Sequence, residues 1–298
     1  MEKSKNIGYV LAVTAGAFWA FSGLCGQFLF ENRNLTSNWL VPVRLISAGL
    51  IILIVSFIKS GTAVFDVWRK KRDAADISLF GILGTALCQY GYFTAIGFSN
   101  AATATVLEYT APVLIVAYIS VRHRHMPSRR ELISALLAVF GVFLCATHGS
   151  FDTLVISGKA LFWCFVAAVS FCFYSIQPHR LLEKHASLSI TGWGMLIGGV
   201  TLCLIFRPWH LTGIWDIWSV LALAGIVIPG TVLAFAFYMQ AVKYIGSARA
   251  SILSTDEPVV STILSIFWLG TPLGAIDILG FVMIISTIFI LSVKKNGI

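Results

Sequence analysis

The chain has 298 residues, 58% of them hydrophobic and only 11% charged. That much apolar surface cannot be hidden in one soluble core, which excludes a soluble globular protein and makes the bilayer its solvent. The net charge of +8 does not call for a nucleic-acid partner, because topology signals facing an anionic inner leaflet account for it.

In chain order, the first predicted span is the uncharged run 7–30, longer than the roughly 18–20 residues that cross a ~30 Å hydrocarbon layer. Ala15-Gly16-Ala17 resembles a small-residue cleavage site, but the run is too long for a signal core and is expected to stay in the protein. Further spans are predicted at 39–58, 77–97, 101–121, 131–148, 157–177, 188–206, 218–242, 248–269 and 275–293. Trp68-Arg69-Lys70-Lys71-Arg72 reads as an interfacial anchor before the third span, and Gly97-Phe98-Ser99-Asn100 as the turn between the third and fourth. The expected class is all-α, a polytopic membrane protein of ten transmembrane helices.

The chain also repeats itself. Residues 82–113 match residues 228–259 at a constant offset of 146, with Gly84/Gly230, Thr85/Thr231, Tyr92/Tyr238, Ala104/Ala250 and Pro112/Pro258 among the identities. A weaker match at an offset of 150 pairs Gly8/Gly158, Phe21/Phe171 and Gln27/Gln177. Five spans in each half, 1–150 and 151–298, would put the second half upside down relative to the first, the architecture of alternating-access transporters. With the N-terminus inside, only Arg33, Lys159 and Arg207 of the 21 Lys and Arg residues fall outside and Arg44 lies within a span. Every other one is cytoplasmic, so both termini are expected in the cytoplasm.

Three carboxylates fall near the expected bilayer midplane: Glu108 in the fourth span, and Asp256 and Glu257 in the ninth. A charge there costs about 2.5–3.5 kcal/mol on insertion scales, so each must face a cavity, find a partner or be protonated. All lie one turn or less before Pro112 or Pro258. A proline removes one backbone donor and frees the carbonyl about four residues earlier, here those of Glu108 and Ser254. Glu108 and Glu257 therefore either line a cavity, binding a cationic group or taking protons in turn, or satisfy donors around the two helix breaks. Asp256 shares a face with Arg249 and fits a gate or a structural network. Arg44 is expected to snorkel to the outer interface, with an outer gate or a carboxylate-binding role as the other reading. Gln27, Gln177, Tyr92 and Tyr238 sit at repeat-related depths, as cavity groups or as hydrogen-bond links between helices, and Trp19, Trp163, Phe171 and Phe173 suit ligand contact or, as the default for any one of them, lipid-facing packing.

Gly194 and Gly198 form a small-xxx-small pair suited to close helix contact. The six cysteines all lie in predicted spans without a CxxC pair and read as packing residues, and the six histidines read as solvated loop residues. No phosphate loop, GxGxxG, HExxH or GxSxG occurs, so no enzyme, cofactor or metal site is expected.

Arg44, the run Leu107-Glu108-Tyr109-Thr110-Ala111-Pro112-Val113, the stretch from Ser247-Ala248-Arg249-Ala250 to Asp256-Glu257-Pro258-Val259-Val260, and Gly280 together resemble the EamA-type branch of the drug/metabolite transporter superfamily. The resemblance covers nearly the whole chain. It implies ten helices in two inverted five-helix repeats, a cavity among spans 1, 3, 4, 6, 8 and 9, and export of amino acids or other metabolites. It favours Glu108, Tyr92, Tyr238, Gln89 and Glu257 as cavity residues, although the position of Glu108 is often uncharged or Gln in that family. The expectation is a secondary transporter in a bacterial inner membrane, acting on a small molecule, with proton coupling left open. The alternative is a passive channel or facilitator of the same fold.

Overall fold

A computed structural model describes residues 2–98, 104, 107–124, 126–147, 149–153, 157–257, 259–260, 263–264 and 274–292. All regular structure among them is helical: α1 (Glu2–Arg33), α2 (Ser37–Ser60), α3 (Lys71–Leu79), α4 (Leu87–Phe98), α5 (Ala111–His123), α6 (Arg129–Thr147), α7 (Gly158–Ile176), α8 (His179–Lys184), α9 (Ser187–Phe206), α10 (Ile217–Val227), α11 (Ala234–Ile245), α12 (Ser247–Leu253) and α13 (Ala275–Ser292), with short 3-10 and π segments between some of them. Six continuous stretches are long and apolar enough to cross a membrane: Ser4–Arg33, Ser37–Trp68, Lys71–Ile96, Gly158–Lys184, Ser187–Phe206 and Ile217–Ile245. Two shorter apolar helices, Ala111–Arg122 and Ile278–Thr287, fall in the fourth and tenth expected spans. The lipid side is written in the exposed apolar residues, among them Ile54, Ile58, Phe162, Phe165, Leu204 and Phe289.

Helices from the two halves of the chain are interleaved. α2 runs along α9 and α6 along α13, while α1 packs on α11 and α7 packs on α4. Shifted by the repeat offsets, α2 falls on α9, α6 on α13 and α4 on α11. The small residues permit these approaches. A Cβ on Gly198 would lie 2.8 Å from the Gly81 carbonyl oxygen, and one on Gly194 2.3 Å from the Phe80 ring. The small-residue pair of the seventh span is thus spent inside the chain, on the segment that joins α3 to α4.

That segment, Phe80–Ala86, is π-helical, and so is Ile228–Leu233 between α10 and α11. Thr85 donates its hydroxyl to the Phe80 carbonyl at 3.4 Å, and Thr231 donates to the Ile226 carbonyl at 2.7 Å, each reaching back five residues. Thr85 and Thr231, like Phe80 and Ile226, are 146 positions apart. Each wider turn lies beside a helix of the other half: a Cβ on Gly84 would meet Tyr174, and one on Gly230 would sit 2.2 Å from the Ser22 Cβ. Hydrophobic patterning does not distinguish a π turn from an α turn, so these two were not foreseen.

The fourth and ninth spans are broken rather than continuous. Pro112 stands in the first turn of α5, preceded by a turn at Tyr109 and Thr110. α12 ends at Leu253 and passes into the 3-10 turn Ser254–Asp256. Pro258, Ser99, Asn100 and His148 lie outside the described residues.

Ion pairs mark the two ends of the bundle. At one, Arg33 Nη2 meets Asp216 Oδ2 at 2.8 Å, and Asp216 caps α10 through the Ser219 backbone N–H. The hydrogen bond from Arg33, followed by those from Ser219, holds the Asp216 carboxyl down at about 2. At the other, Asp73, with a side chain only 2% exposed, lies 2.7 Å from Arg180 Nη2, 3.4 Å from His185 Nε2 and 3.9 Å from Lys184 Nζ. Arg180 also pairs with Asp76. The side chain of His185 is 12% exposed and belongs to this cluster, which corrects its reading as a solvated loop residue.

Candidate functional site

The helix breaks and the interleaving create a cavity of about 60 Å³ inside the bundle. Its walls come from α1 (Trp19, Ser22, Gly23), α2 (Arg44), α4 (Gln89, Tyr92, Phe93), the turn before α5 (Glu108, Tyr109), α7 (Phe171), α11 (Phe235) and the ninth-span break (Glu257). Both halves of the sequence therefore supply chemistry to one space.

The two breaks meet through Tyr109. Its hydroxyl lies 2.6 Å from Glu257 Oε2 and 3.2 Å from the Ser254 carbonyl oxygen. The Ser254 carbonyl is the one a proline at position 258 leaves without its usual helical donor. A phenol from the other half stands at that carbonyl, its one proton shared between it and the nearer Glu257 carboxyl. Glu108 is less well held, its Oε1 lying 3.7 Å from the Cys88 thiol.

Arg44 does not snorkel. It is 2% exposed, because its guanidinium turns inward, where Nη2 donates to Gln89 Oε1 at 2.9 Å and the charge lies 4.9 Å from the centre of the Phe93 ring. Its Nε and Nη1 are buried without a hydrogen-bond partner among the described residues, as is Trp19 Nε1.

Of the other residues singled out from sequence, Gln89, Tyr92, Trp19, Glu108 and Glu257 line the cavity together. Tyr238 stands behind it, fully buried against Trp19 and Phe171, with its hydroxyl 2.7 Å from that of Ser175. Gln27 is exposed and donates to Glu31 at 2.9 Å, while Gln177 donates to the Asp76 carbonyl at 3.0 Å in the ion cluster at the bundle end. The repeat pairs Gln27/Gln177 and Tyr92/Tyr238 thus diverge in environment. Arg249 faces Glu131 at 3.5 Å. Asp256 is 6% exposed, its Oδ1 has no partner among the described residues, and it abuts Gly16 of α1. Tyr109, Ser22, Gly23, Phe93 and Phe235 were not anticipated as lining residues. Tyr109 alone carried a signal, standing beside Glu108 in the quoted motif.

A second cavity, about 380 Å³, lies toward the Arg33 end and is lined by Ser37, Asn38, Tyr90, Thr94, Phe98 and Trp163. Tyr90 and Thr94 adjoin Gln89 and Phe93 on α4, so one helix borders both spaces. Tyr90 donates to Asn38 Oδ1 at 3.0 Å and stacks on Phe206 with 4.5 Å between ring centres.

Residues 6–147 and 158–293 each match the EamA-like transporter family. The chain is 34% identical, over 98% of its length and 97% of the relative's, to the "Uncharacterized inner membrane transporter YicL" of Salmonella typhimurium. It is 25% identical to the "Uncharacterized transporter YyaM" of Bacillus subtilis, over 80% of this chain and 78% of that one. A crystal structure superposes with a TM-score of 0.78 over 96% of both chains at 17% identity, a likeness of fold. The chain belongs to the EamA-like transporter family.

Proposed function

From membership of the EamA-like transporter family, we propose that the chain is a secondary transporter of a bacterial inner membrane that exports amino acids or related small metabolites. It works by alternating access, with ten spans in two inverted five-helix repeats, 1–150 and 151–298, and with both termini in the cytoplasm. The observation that carries this reading is the central cavity walled by both halves, with Glu108 and Tyr109 from one and Phe171, Phe235 and Glu257 from the other. A site shared between two rocking units can be exposed to each side in turn. In this orientation the larger cavity beside α4, with Tyr90 and Asn38 on its lining, is the outer vestibule. The cluster of Asp73, Asp76, Arg180 and His185 closes the cytoplasmic end.

Glu108 and Glu257 are the groups on this path able to receive a proton or a cationic substrate group, and Tyr109 positions Glu257. The test is counterflow in proteoliposomes loaded with unlabelled amino acids. Saturable accumulation of labelled substrate against its gradient supports a carrier, and non-saturating flux without counterflow supports a passive facilitator instead. Glu257→Gln is expected to reduce transport, and wild-type rates by that variant at every pH would remove Glu257 from the mechanism.

A further inference from the structure

The central cavity presents more buried donors than the described residues use. Arg44 brings Nε and Nη1, and Trp19 brings Nε1, all buried and all without an acceptor among the described residues. Buried polar groups are otherwise almost always paired, and an unpaired buried cation is among the costliest arrangements in a protein. Arg44 forms no ion pair with any described residue, and its one hydrogen bond goes to a neutral amide oxygen, that of Gln89. A planar guanidinium with free N–H groups is the side chain best matched to a carboxylate.

The carboxyl groups of the lining form no ion pair with Arg44 and contact other residues. Cys88, which contacts Glu108, and Gln89, which contacts Arg44, are successive residues of α4. Successive side chains leave a helix roughly 100° apart. The cavity lining therefore carries a cation at Arg44 and carboxyl groups at Glu108 and Glu257. We propose that Arg44 is the receptor for the substrate's carboxylate, so that the cavity takes zwitterions carrying a carboxylate and a protonated amine. The carboxyl groups then face the ammonium group, and a simple amine or neutral metabolite leaves the guanidinium unpaired.

The assignment deepens the transport reading and rests on the central cavity being the substrate site, so binding and flux are measured separately. Purified protein in detergent is titrated with L-leucine, L-phenylalanine and L-threonine, and with the primary amide of each, while thermal unfolding is followed. At pH 6, where the α-amines of both stay protonated, the amides keep the ammonium and the side chain and lose only the anion. The expected result is a preference for at least one acid over its amide of about tenfold or more, the change worth 1.4 kcal/mol. Arg44→Gln should bring that ratio close to one, and Arg44→Lys, which keeps the charge but not the fork, should fall between. Gln89→Glu covers the case in which Arg44→Gln fails to fold. It leaves Arg44 in place and supplies an internal carboxylate at the existing contact, so it should weaken binding of the acids and spare the amides.

Equal binding of acids and amides by the wild type, no shift with any of the three acids, or a preference that survives in both Arg44→Gln and Gln89→Glu would each overturn the proposal. Flux reports on the other reading. An Arg44-dependent preference in binding without counterflow would keep the carboxylate receptor and discard the carrier. Counterflow with no such preference would do the reverse.

Discussion

Gly16 and Gly23 lie two turns apart on α1 and invite a matched pair of substitutions. A Cβ on Gly16 would lie 1.9 Å from Asp256 Oδ1 and 2.7 Å from the Ser254 carbonyl oxygen, whereas one on Gly23 meets nothing within 4 Å. The carboxylate can swing away. The carbonyl is backbone and is held by Tyr109, so the ninth-span break itself must move. Overpacking of this kind costs about 1–3 kcal/mol. Replacing Gly by Ala within a helix gains about 0.5–1 kcal/mol at either position, so the difference between Gly16→Ala and Gly23→Ala isolates the overpacking. At about 2 °C per kcal/mol for a chain of this size, Gly16→Ala should melt some 2–6 °C below Gly23→Ala in a thermal scan of detergent-purified protein. Gly23→Ala should melt at or slightly above the wild type. Gly23 lines the central cavity of about 60 Å³, so, on the proposed assignment of that cavity as the substrate site, the variant should nonetheless bind substrate more weakly. A Gly16→Ala protein as stable as Gly23→Ala would refute the close approach of α1 to the ninth-span break.

Three other outcomes follow from the same contacts. Tyr109→Phe removes the phenol shared by Glu257 and the Ser254 carbonyl, and should cost about 1–3 kcal/mol in thermal stability; no loss would mean that the two breaks are not joined there. Asp216 titrates at about 2 in the folded chain against 3.8 for the free group, a depressed carboxylate, so its contribution is full above pH ~4 and is lost as pH falls toward 2. Melting temperatures of Asp216→Ala should therefore lie below wild type near neutrality and converge with it in that acid window, and a constant offset across the window would show that the carboxylate's charge is not responsible. Arg180→Gln leaves the buried Asp73 without its closest cation and should lower the melting temperature more than Arg33→Gln, whose partner Asp216 is 36% exposed; the opposite order would place the tighter cluster at the other end.

What could be read from the sequence was set by hydropathy, charge and identity, and what could not was set by side-chain direction. The apolar runs marked the helices because lipid imposes length and composition on them. Pro112 and the motif around Glu257 marked the breaks because proline chemistry is local. Depth along a helix was legible, but azimuth was not. Gln27 and Gln177 share a repeat register, yet one reaches along its own helix to Glu31 and the other turns into the ion cluster at one bundle end. Tyr238 has the register of Tyr92 but is sealed behind Trp19 and Phe171. Arg44 was placed at the interface because a long cationic side chain near a span end ordinarily finds water. The pull of Gln89 and the Phe93 ring comes from another helix, 45 residues away in sequence, and nothing local announces it.

The interleaving of the two halves also bears on how the protein is made. α1 finds its main neighbour in the stretch from α10 to α11, which begins at Ile217. Translation at about 5–20 residues per second leaves α1 in the bilayer for roughly 10–40 s before that partner leaves the ribosome. During that interval Gly8, which meets Ile245 and Tyr244, and Gly16, which meets Asp256, have only lipid or a chaperoning insertase to cover them. Fragments 1–150 and 151–298, although each has the internal pattern of a unit, should accumulate as folded protein only when both are synthesised in the same cell. Biogenesis in this chain is therefore a race between late helix arrival and membrane quality control, decided by the order in which the helices are encoded.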